Sequence, residues 1–126
     1  MTFASAQPRH SILDETSSIV NSPPGLQLDL FRHQKAMLCK SLQIEKTIKN
    51  SQIPYAFMCD KAGSGKTAVI ISLIMYDKIL HGKTLNLIVV PQNIHSQWIS
   101  EIERFAGDSL AVKSYINYSD ISGAER

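Results

Sequence analysis

The feature that most constrains the fold of this chain is a short glycine-containing loop, Asp-Lys-Ala-Gly-Ser-Gly-Lys-Thr, at residues 60–67. It follows an apolar run at residues 55–59 and precedes a longer, mostly apolar run at residues 68–80. A Gly-x-Gly-Lys-Thr sequence between a predicted strand and a predicted helix is typical of loops that cradle phosphate groups. We therefore expect the loop to open a helix, whose N-terminal end attracts anions. An ordinary glycine-rich turn with a solvated lysine is the alternative.

The residue types of the loop suit a nucleoside triphosphate. Consecutive backbone N–H groups must point at phosphate oxygens, which requires backbone angles that Gly63 and Gly65 adopt readily. Lys66, the candidate catalytic residue, is expected to reach the β- and γ-phosphates, and Thr67 is expected to offer its hydroxyl to Mg²⁺. ATP with Mg²⁺ is thus the predicted ligand. The predicted cofactor-binding residues of the loop are Asp60, Lys61, Ala62, Gly63, Ser64, Gly65, Lys66 and Thr67.

Strands and helices are predicted to alternate along the chain. Apolar periodicity and breaker residues predict helices over residues 30–49, 68–80 and 93–106, and strands over residues 55–59, 85–90 and 110–116. Gly82 and Gly107 are the expected helix stops, and Asn93 is the expected cap of the third helix. This alternation predicts parallel pairing through right-handed crossovers, and hence an α/β fold: part of a three-layer sandwich with a parallel sheet.

The N-terminal region differs in composition from the rest of the chain. Residues 1–25 are rich in Ser, Thr and Pro and end in Ser-Pro-Pro-Gly, so they are predicted to be a flexible, disordered leader. Residues 26–126 are predicted to form an incomplete domain. In the helix that follows the leader, Phe31 is expected to belong to the apolar face.

Composition bounds the compartment and the class of protein. The chain has 126 residues, 44% of them hydrophobic, and a formal net charge of +2, which neither requires nor excludes a nucleic-acid partner. Cys39 and Cys59 are the two cysteines, and Cys59 is expected to be a small buried thiol. No signal peptide and no membrane-spanning stretch is visible. We expect an intracellular protein of a reducing compartment, with the nucleus, the cytoplasm and a viral factory left open.

Three segments together resemble a known family. Residues 30–35, Leu-Phe-Arg-His-Gln-Lys, look like a glutamine-bearing motif, and the loop is similar to the pattern DExGxGKT. Residues 87–105 look like the strand and helix that follow, with Pro91, Trp98 and Glu101 in a P…W…E pattern. Over about residues 28–118 the chain resembles the first RecA-like lobe of superfamily 2 helicases and translocases, particularly Swi/Snf-type DNA-dependent ATPases. That family has an acidic residue where this chain has Lys61, so a helicase of a large DNA virus or mobile element also fits.

The resemblance implies roles for further residues. Gln34 would read adenine through the donor and acceptor of its amide, and His33 would be accessory to the same turn. Without the resemblance, an ordinary exposed helix glutamine is the favoured interpretation. Trp98 is expected to pack in the core rather than stack on a base. Uncharged donors near a helix N-terminus suit contact with a nucleic-acid backbone, DNA first and RNA as an alternative, with no membrane partner. These candidates are Gln92, Asn93, His95, Ser96 and Gln97.

Hydrolysis requires parts that the pattern lacks. An acidic element must hold the Mg²⁺ shell, and an arginine finger commonly completes the site. The resembled family has the first on a later strand and the second on another RecA-like lobe, which is expected in the intact protein. The intact parent protein is therefore expected to be an ATP hydrolase, whereas the 126-residue chain, as a fragment, is expected to bind ATP weakly at most and to be inactive. A non-catalytic nucleotide-binding module and a P-loop kinase or transport-type ATPase remain alternatives.

Overall fold

The structure is a computed structural model and describes residues 12–48, 55–117 and 120. These residues form three α-helices, α1 (Arg32–Ile48), α2 (Lys66–His81) and α3 (Gln92–Ala106), and one turn of 3₁₀ helix at Gly107–Ser109. The helices predicted over residues 30–49, 68–80 and 93–106 are thus confirmed to within two residues at each end. None of the described helices is both long enough and apolar enough to cross a membrane. The sequence also predicts that Asn50, Ser51 and Pro54 break the first helix, and these residues lie outside the described residues.

The helix ends follow from glycine and proline. Gly82 has a φ of 78° and its N–H donates to the Lys78 carbonyl, so it ends α2 as predicted. Gly107 has a φ of 49° and ends α3 in the same way. The predicted cap at Asn93 is wrong, because α3 already begins at Gln92 with Pro91 as the residue before it. Proline has a fixed φ that suits the start of a helix, and here it precedes the first helical residue.

The core lies along α2, which packs against α1 on one side and α3 on the other. Leu38, Val69 and Ile71 are fully buried, and Phe105 is 7% exposed. Ser72 is also fully buried, and its hydroxyl donates to the Ala68 carbonyl at 2.7 Å. A serine that bonds to the carbonyl four residues earlier can lie in an apolar core without an unpaired polar group.

The predicted α/β fold is wrong, because the described residues contain helices and no strand or sheet. Residues 55–59, 85–90 and 110–116 are all described, and none of them is a strand. Leu85, Leu87 and Val89 are 85–99% exposed, and Phe57 is 82% exposed. A strand requires backbone partners on a neighbouring strand, and a parallel sheet requires cover on both faces. The described residues provide neither, so an apolar run alone does not produce a strand.

Two further expectations fail near these segments. Cys59 is exposed rather than buried, because the segment that contains it belongs to no sheet. Phe31 is 69% exposed rather than part of the core, because it lies just before α1 and not on its buried face. The buried face of α1 is formed by Met37 and Leu38, with Leu42 packed against them.

Part of the predicted leader lies against the helices. The Tyr76 hydroxyl donates to the Asn21 carbonyl at 2.7 Å, and the Gln27 N–H donates to the Phe105 carbonyl at 2.8 Å. The Arg32 guanidinium donates to the carbonyls of Glu15 and Ser17. Residues 12–30 therefore contact all three helices, while residues 1–11 lie outside the described residues.

Hydrogen bonds hold the Asp77 carboxylate near the end of α2. Its Oδ1 accepts from His81 Nδ1 at 2.9 Å, and its Oδ2 accepts from Asn86 Nδ2 at 3.3 Å. Burial raises the pKa of Asp77, but hydrogen bonds from Asn86, Thr84 and His81 outweigh it and hold the pKa below its usual value. Burial and the negative charge of Asp77 raise the pKa of neighbouring Glu45. The ionised Glu45 therefore destabilises the folded state at neutral pH and offsets part of the stability that the Asp77 carboxylate contributes.

We expect Asp77→Asn to lower the free energy of unfolding by roughly 0.5 kcal/mol at neutral pH, a typical value for such exposed contacts. A carboxylate with a lowered pKa in the folded state stabilises that state above its unfolded pKa, so the difference should close as the pH falls below about 4. Urea unfolding followed by circular dichroism at neutral pH and at about pH 3 measures it. Asp108→Asn, on an exposed turn, controls for net charge. A difference that is equal at both pH values would contradict the prediction.

Candidate functional site

The glycine-containing loop lies directly before α2. Gly63 has a φ of 78° and Gly65 a φ of 79°, angles that side chains with a Cβ rarely adopt. Between these glycines, the Ser64 N–H donates to the Lys61 carbonyl at 3.3 Å and closes the turn. The loop thus has the two left-handed glycines that its sequence predicts, and it ends where the N-terminus of α2 begins.

Lys66, the first residue of α2, reaches back across the loop. Its Nζ donates to the Asp60 carbonyl at 2.9 Å and to the Lys61 carbonyl at 2.7 Å. An ammonium group has three N–H donors, so these two bonds leave one for another acceptor. The amine is therefore held beside the loop and can serve an anion there without a large movement of the helix.

The first turn of α1 contacts the loop from the other side. The Gln34 side chain is 6% exposed, and its Nε2 donates to the Ser64 carbonyl at 3.4 Å. His33 Nε2 lies 3.2 Å from the same carbonyl oxygen. A Cβ built on Gly65 would overlap the Gln34 side-chain nitrogen, so only glycine fits at that position with Gln34 in place. The structure thus brings Gln34 to the loop, 30 residues away in sequence; its contact with adenine stays a prediction.

Two hydroxyl groups in the loop matter for a phosphate or a metal ion. The Ser64 Oγ is buried and has no hydrogen-bond partner among the described residues. Thr67 is half-buried in the first turn of α2. A buried hydroxyl without a partner is costly and needs an acceptor or donor that the described residues do not supply. This observation fits a loop that holds an oxygen-rich anion, and the Thr67 hydroxyl is a hard oxygen ligand of the kind that Mg²⁺ prefers.

The predicted nucleic-acid residues lie on a different element, at the N-terminus of α3. Gln92, Asn93, Ser96 and Gln97 are exposed, and His95 is half-buried. The Gln97 amide donates to the Glu101 carboxylate at 3.0 Å, and His95 Nε2 lies 3.1 Å from the Ser114 hydroxyl. The exposed donors therefore lie together at the N-terminus of α3, where solvent reaches them. The structure gives them no contact that tests a nucleic-acid role.

Sequence reasoning missed the arrangement around Phe31. The exposed Phe31 ring stacks on the His33 imidazole, with centroids 5.9 Å apart and planes 10° apart. Its backbone N–H donates to Gln34 Oε1 at 2.9 Å. Gln34 is the third residue of α1, and a Gln at this position commonly bonds back to the N–H that precedes the helix. Because Phe31, and not Ser or Thr, precedes α1, the sequence lacks the first residue of a capping box, and neither this bond nor the shared bond to Ser64 had a sequence signal. Trp98, by contrast, packs against the core as predicted.

Comparisons with known proteins give one finding. A family model described as SNF2-related domain matches residues 33–122 of the chain. The matched residues include the glycine-containing loop, nearly all of α1, and the whole of α2 and α3. No curated protein and no solved structure matches the chain.

Proposed function

The chain belongs to the SNF2-related domain family, and from this membership we propose that it is the ATP-binding part of a DNA-dependent ATPase. Membership of the family supports a DNA-dependent ATPase as the class of protein. Three segments of the sequence also resemble the Swi/Snf type. The observation that carries the finer proposal is the loop at residues 60–67. Its two left-handed glycines, its lysine and the buried Ser64 hydroxyl, which has no partner among the described residues, lie together at the start of α2.

We assign the triphosphate of ATP to this loop. Backbone N–H groups around Gly63 and Gly65 and the N-terminus of α2 provide donors and a positive field, which suit phosphate oxygens. Lys66 adds a positive charge. Its ammonium group can give up its hydrogen bonds to the carbonyls of Asp60 and Lys61 and bind a phosphate instead. Open space supports the assignment, because a Cβ built on Gly63 would meet nothing within 4 Å. The loop is therefore accessible as well as rich in donors.

Mg²⁺ would be held by the Thr67 hydroxyl together with phosphate oxygens. When bound, the ion neutralises phosphate charge, which lets the loop accept a triphosphate at lower electrostatic cost. Thr67 lies one residue after Lys66 in the first turn of α2, so both side chains extend from the end of the helix that faces the loop. The chain's own contribution is to place a hydroxyl-bearing residue directly after the lysine, in the first turn of the helix that follows the loop.

DNA is the proposed macromolecular partner. Family membership supports it, together with the exposed, uncharged donors at the N-terminus of α3. Amide and hydroxyl side chains at a helix N-terminus can bind backbone phosphates without reading bases. Binding through few charged groups should depend on salt less steeply than binding through a basic surface.

Competition binding tests the proposal. We expect the full chain to bind a fluorescent ATP analogue saturably in Mg²⁺, and we expect unlabelled ATP and inorganic tripolyphosphate to displace it. Adenosine, which lacks phosphates, should displace it poorly, because the loop contacts assigned here are to phosphate. Equal displacement by adenosine, or no saturable binding, would overturn the ATP assignment. A labelled DNA duplex titrated at low salt tests the second part, and absence of binding would remove DNA as the partner.

A further inference from the structure

The Ser64 carbonyl receives two side-chain hydrogen bonds from consecutive residues of α1. His33 Nε2 lies at 3.2 Å and Gln34 Nε2 at 3.4 Å from its oxygen. A carbonyl oxygen only accepts and has two lone pairs, so both nitrogens donate and the oxygen is fully used. The imidazole must then carry its hydrogen on Nε2. Two separate side chains thus fix the direction of one peptide group in the loop.

The direction of this peptide group decides where the next N–H points. In a trans peptide, the carbonyl of one residue and the N–H of the next point in opposite directions, and the described residues contain no cis peptide bond. Because the Ser64 carbonyl is held toward α1, the Gly65 N–H points away from α1. Within the described residues this N–H has no acceptor. The Gly65 N–H is therefore a backbone donor that points away from α1, the helix whose side chains orient the peptide group.

Both donating side chains are themselves held in place. Gln34 Oε1 accepts the Phe31 N–H at 2.9 Å, and the side chain is buried against Gly65. The His33 ring stacks on Phe31, with 5.9 Å between the ring centroids. Fixing a side chain before a ligand arrives reduces the entropy lost on binding. The donors are therefore already oriented when the loop meets a phosphate.

We propose that His33 and Gln34 are positioning residues, which hold the Ser64–Gly65 peptide so that the Gly65 N–H faces the bound triphosphate. The inference rests on the proposed function and adds to it a role for His33 and a second role for Gln34. A glutamine that only reads adenine affects ligands that carry the base. A clamp on the loop peptide affects every triphosphate equally, including one with no base at all.

Four variants of the full chain separate these roles. Gln34→Ala removes one donor to the Ser64 carbonyl. His33→Phe keeps a ring to stack on Phe31 but removes the donor, whereas His33→Gln loses the ring and keeps a nitrogen donor at the same number of bonds from Cα. Gln43→Ala, at an exposed position on the same helix, is the matched control. Each is titrated with ATP and with inorganic tripolyphosphate in Mg²⁺, and its helical content and thermal unfolding are compared with those of the unmodified chain.

We expect His33→Phe to weaken ATP and tripolyphosphate by the same factor, about fivefold for one lost hydrogen bond. Gln34→Ala should weaken tripolyphosphate by about that factor and ATP by at least as much. His33→Gln, which keeps a donor but loses the stacked ring, should weaken both ligands less than His33→Phe does, and Gln43→Ala should bind as the unmodified chain does. Loss of ATP binding alone, with tripolyphosphate unchanged, would assign Gln34 to the base and overturn the inference, as would unchanged binding of both ligands.

Folding and the proposed function are controlled separately. If Gln34→Ala does not fold, the two His33 variants decide, because His33 is exposed and its replacement removes no core packing. If the unmodified chain binds no tripolyphosphate, the proposed function fails together with the inference. If the unmodified chain binds tripolyphosphate, and the His33 and Gln34 variants bind it as tightly as the unmodified chain does, only the inference fails.

Discussion

Replacement of Lys66 by alanine is expected to weaken the binding of Mg²⁺–ATP by about 10- to 100-fold. A hydrogen bond between charged groups contributes about 1.5–3 kcal/mol, and about 1.4 kcal/mol corresponds to a factor of ten in affinity. In the structure the Lys66 ammonium group donates to the carbonyls of Asp60 and Lys61, and so lies beside the loop that we assign to phosphate. Its removal takes away the charged side chain that those two bonds hold at this position.

Equilibrium titration with a fluorescent ATP analogue measures the effect. Lys83→Ala is the matched control, because Lys83 is an exposed lysine just after the other end of α2. It changes the net charge equally and leaves the loop intact. The assignment of Lys66 is contradicted if both variants lose the same affinity, or if neither does. Far-ultraviolet circular dichroism should show unchanged helical content in both variants.

Replacement of Ile71 by alanine is expected to lower the free energy of unfolding by about 3 kcal/mol, within the range for aliphatic side chains removed from a core. Ile71 is fully buried on α2, the helix that packs against both α1 and α3. Small domains are stable by only about 5–15 kcal/mol, so one such cavity removes a large part of the total. The effect should therefore be visible as a marked shift of the unfolding midpoint.

A second isoleucine on the same helix provides the comparison. Ile79 is 52% exposed, and Ile79→Ala should cost less than about 1 kcal/mol, because most of its surface already contacts water. Urea unfolding followed by the helical signal gives both values. An equal loss of unfolding free energy in the two variants would mean that α2 does not bury Ile71 and expose Ile79 as it does in the structure.

The helices were predictable because their signals are local. Gly82 and Gly107 end α2 and α3 at the positions that the sequence indicates, and both have a positive φ. The apolar spacing of α3 placed Ile102 and Phe105 on its buried side, and both are buried. Spacing of this kind depends only on residues within a few turns of each other. The one error at these ends, the cap at Asn93, was a shift of the helix start to Gln92.

The strands were not predictable by the same means. Residues 85–90 have the composition of a buried strand, yet Leu85 is 99% exposed and Leu87 is 86% exposed. Whether such a segment becomes a strand depends on backbone partners far away in sequence, and its own residues do not encode them.

The candidate site also has features that the sequence shows directly and contacts that only the structure shows. Three segments of the sequence were enough to indicate the Swi/Snf type, and the match of residues 33–122 to the SNF2-related domain confirms that family. The glycines, lysine and threonine of the loop were also visible directly, because the loop is a continuous segment. The sequence did not show that His33 and Gln34 share the Ser64 carbonyl.

By itself, the sequence therefore determined the three helices, the glycine stops of α2 and α3, the position of the loop and the family. Each of these depends on residues that are neighbours in the chain or on a short motif. The tertiary structure alone decided that the described apolar segments form no sheet, that Cys59 is exposed, and that His33 and Gln34 of α1 contact the loop before α2. Those outcomes depend on contacts between residues tens of positions apart, where packing and hydrogen bonding, and not local propensity, set the conformation.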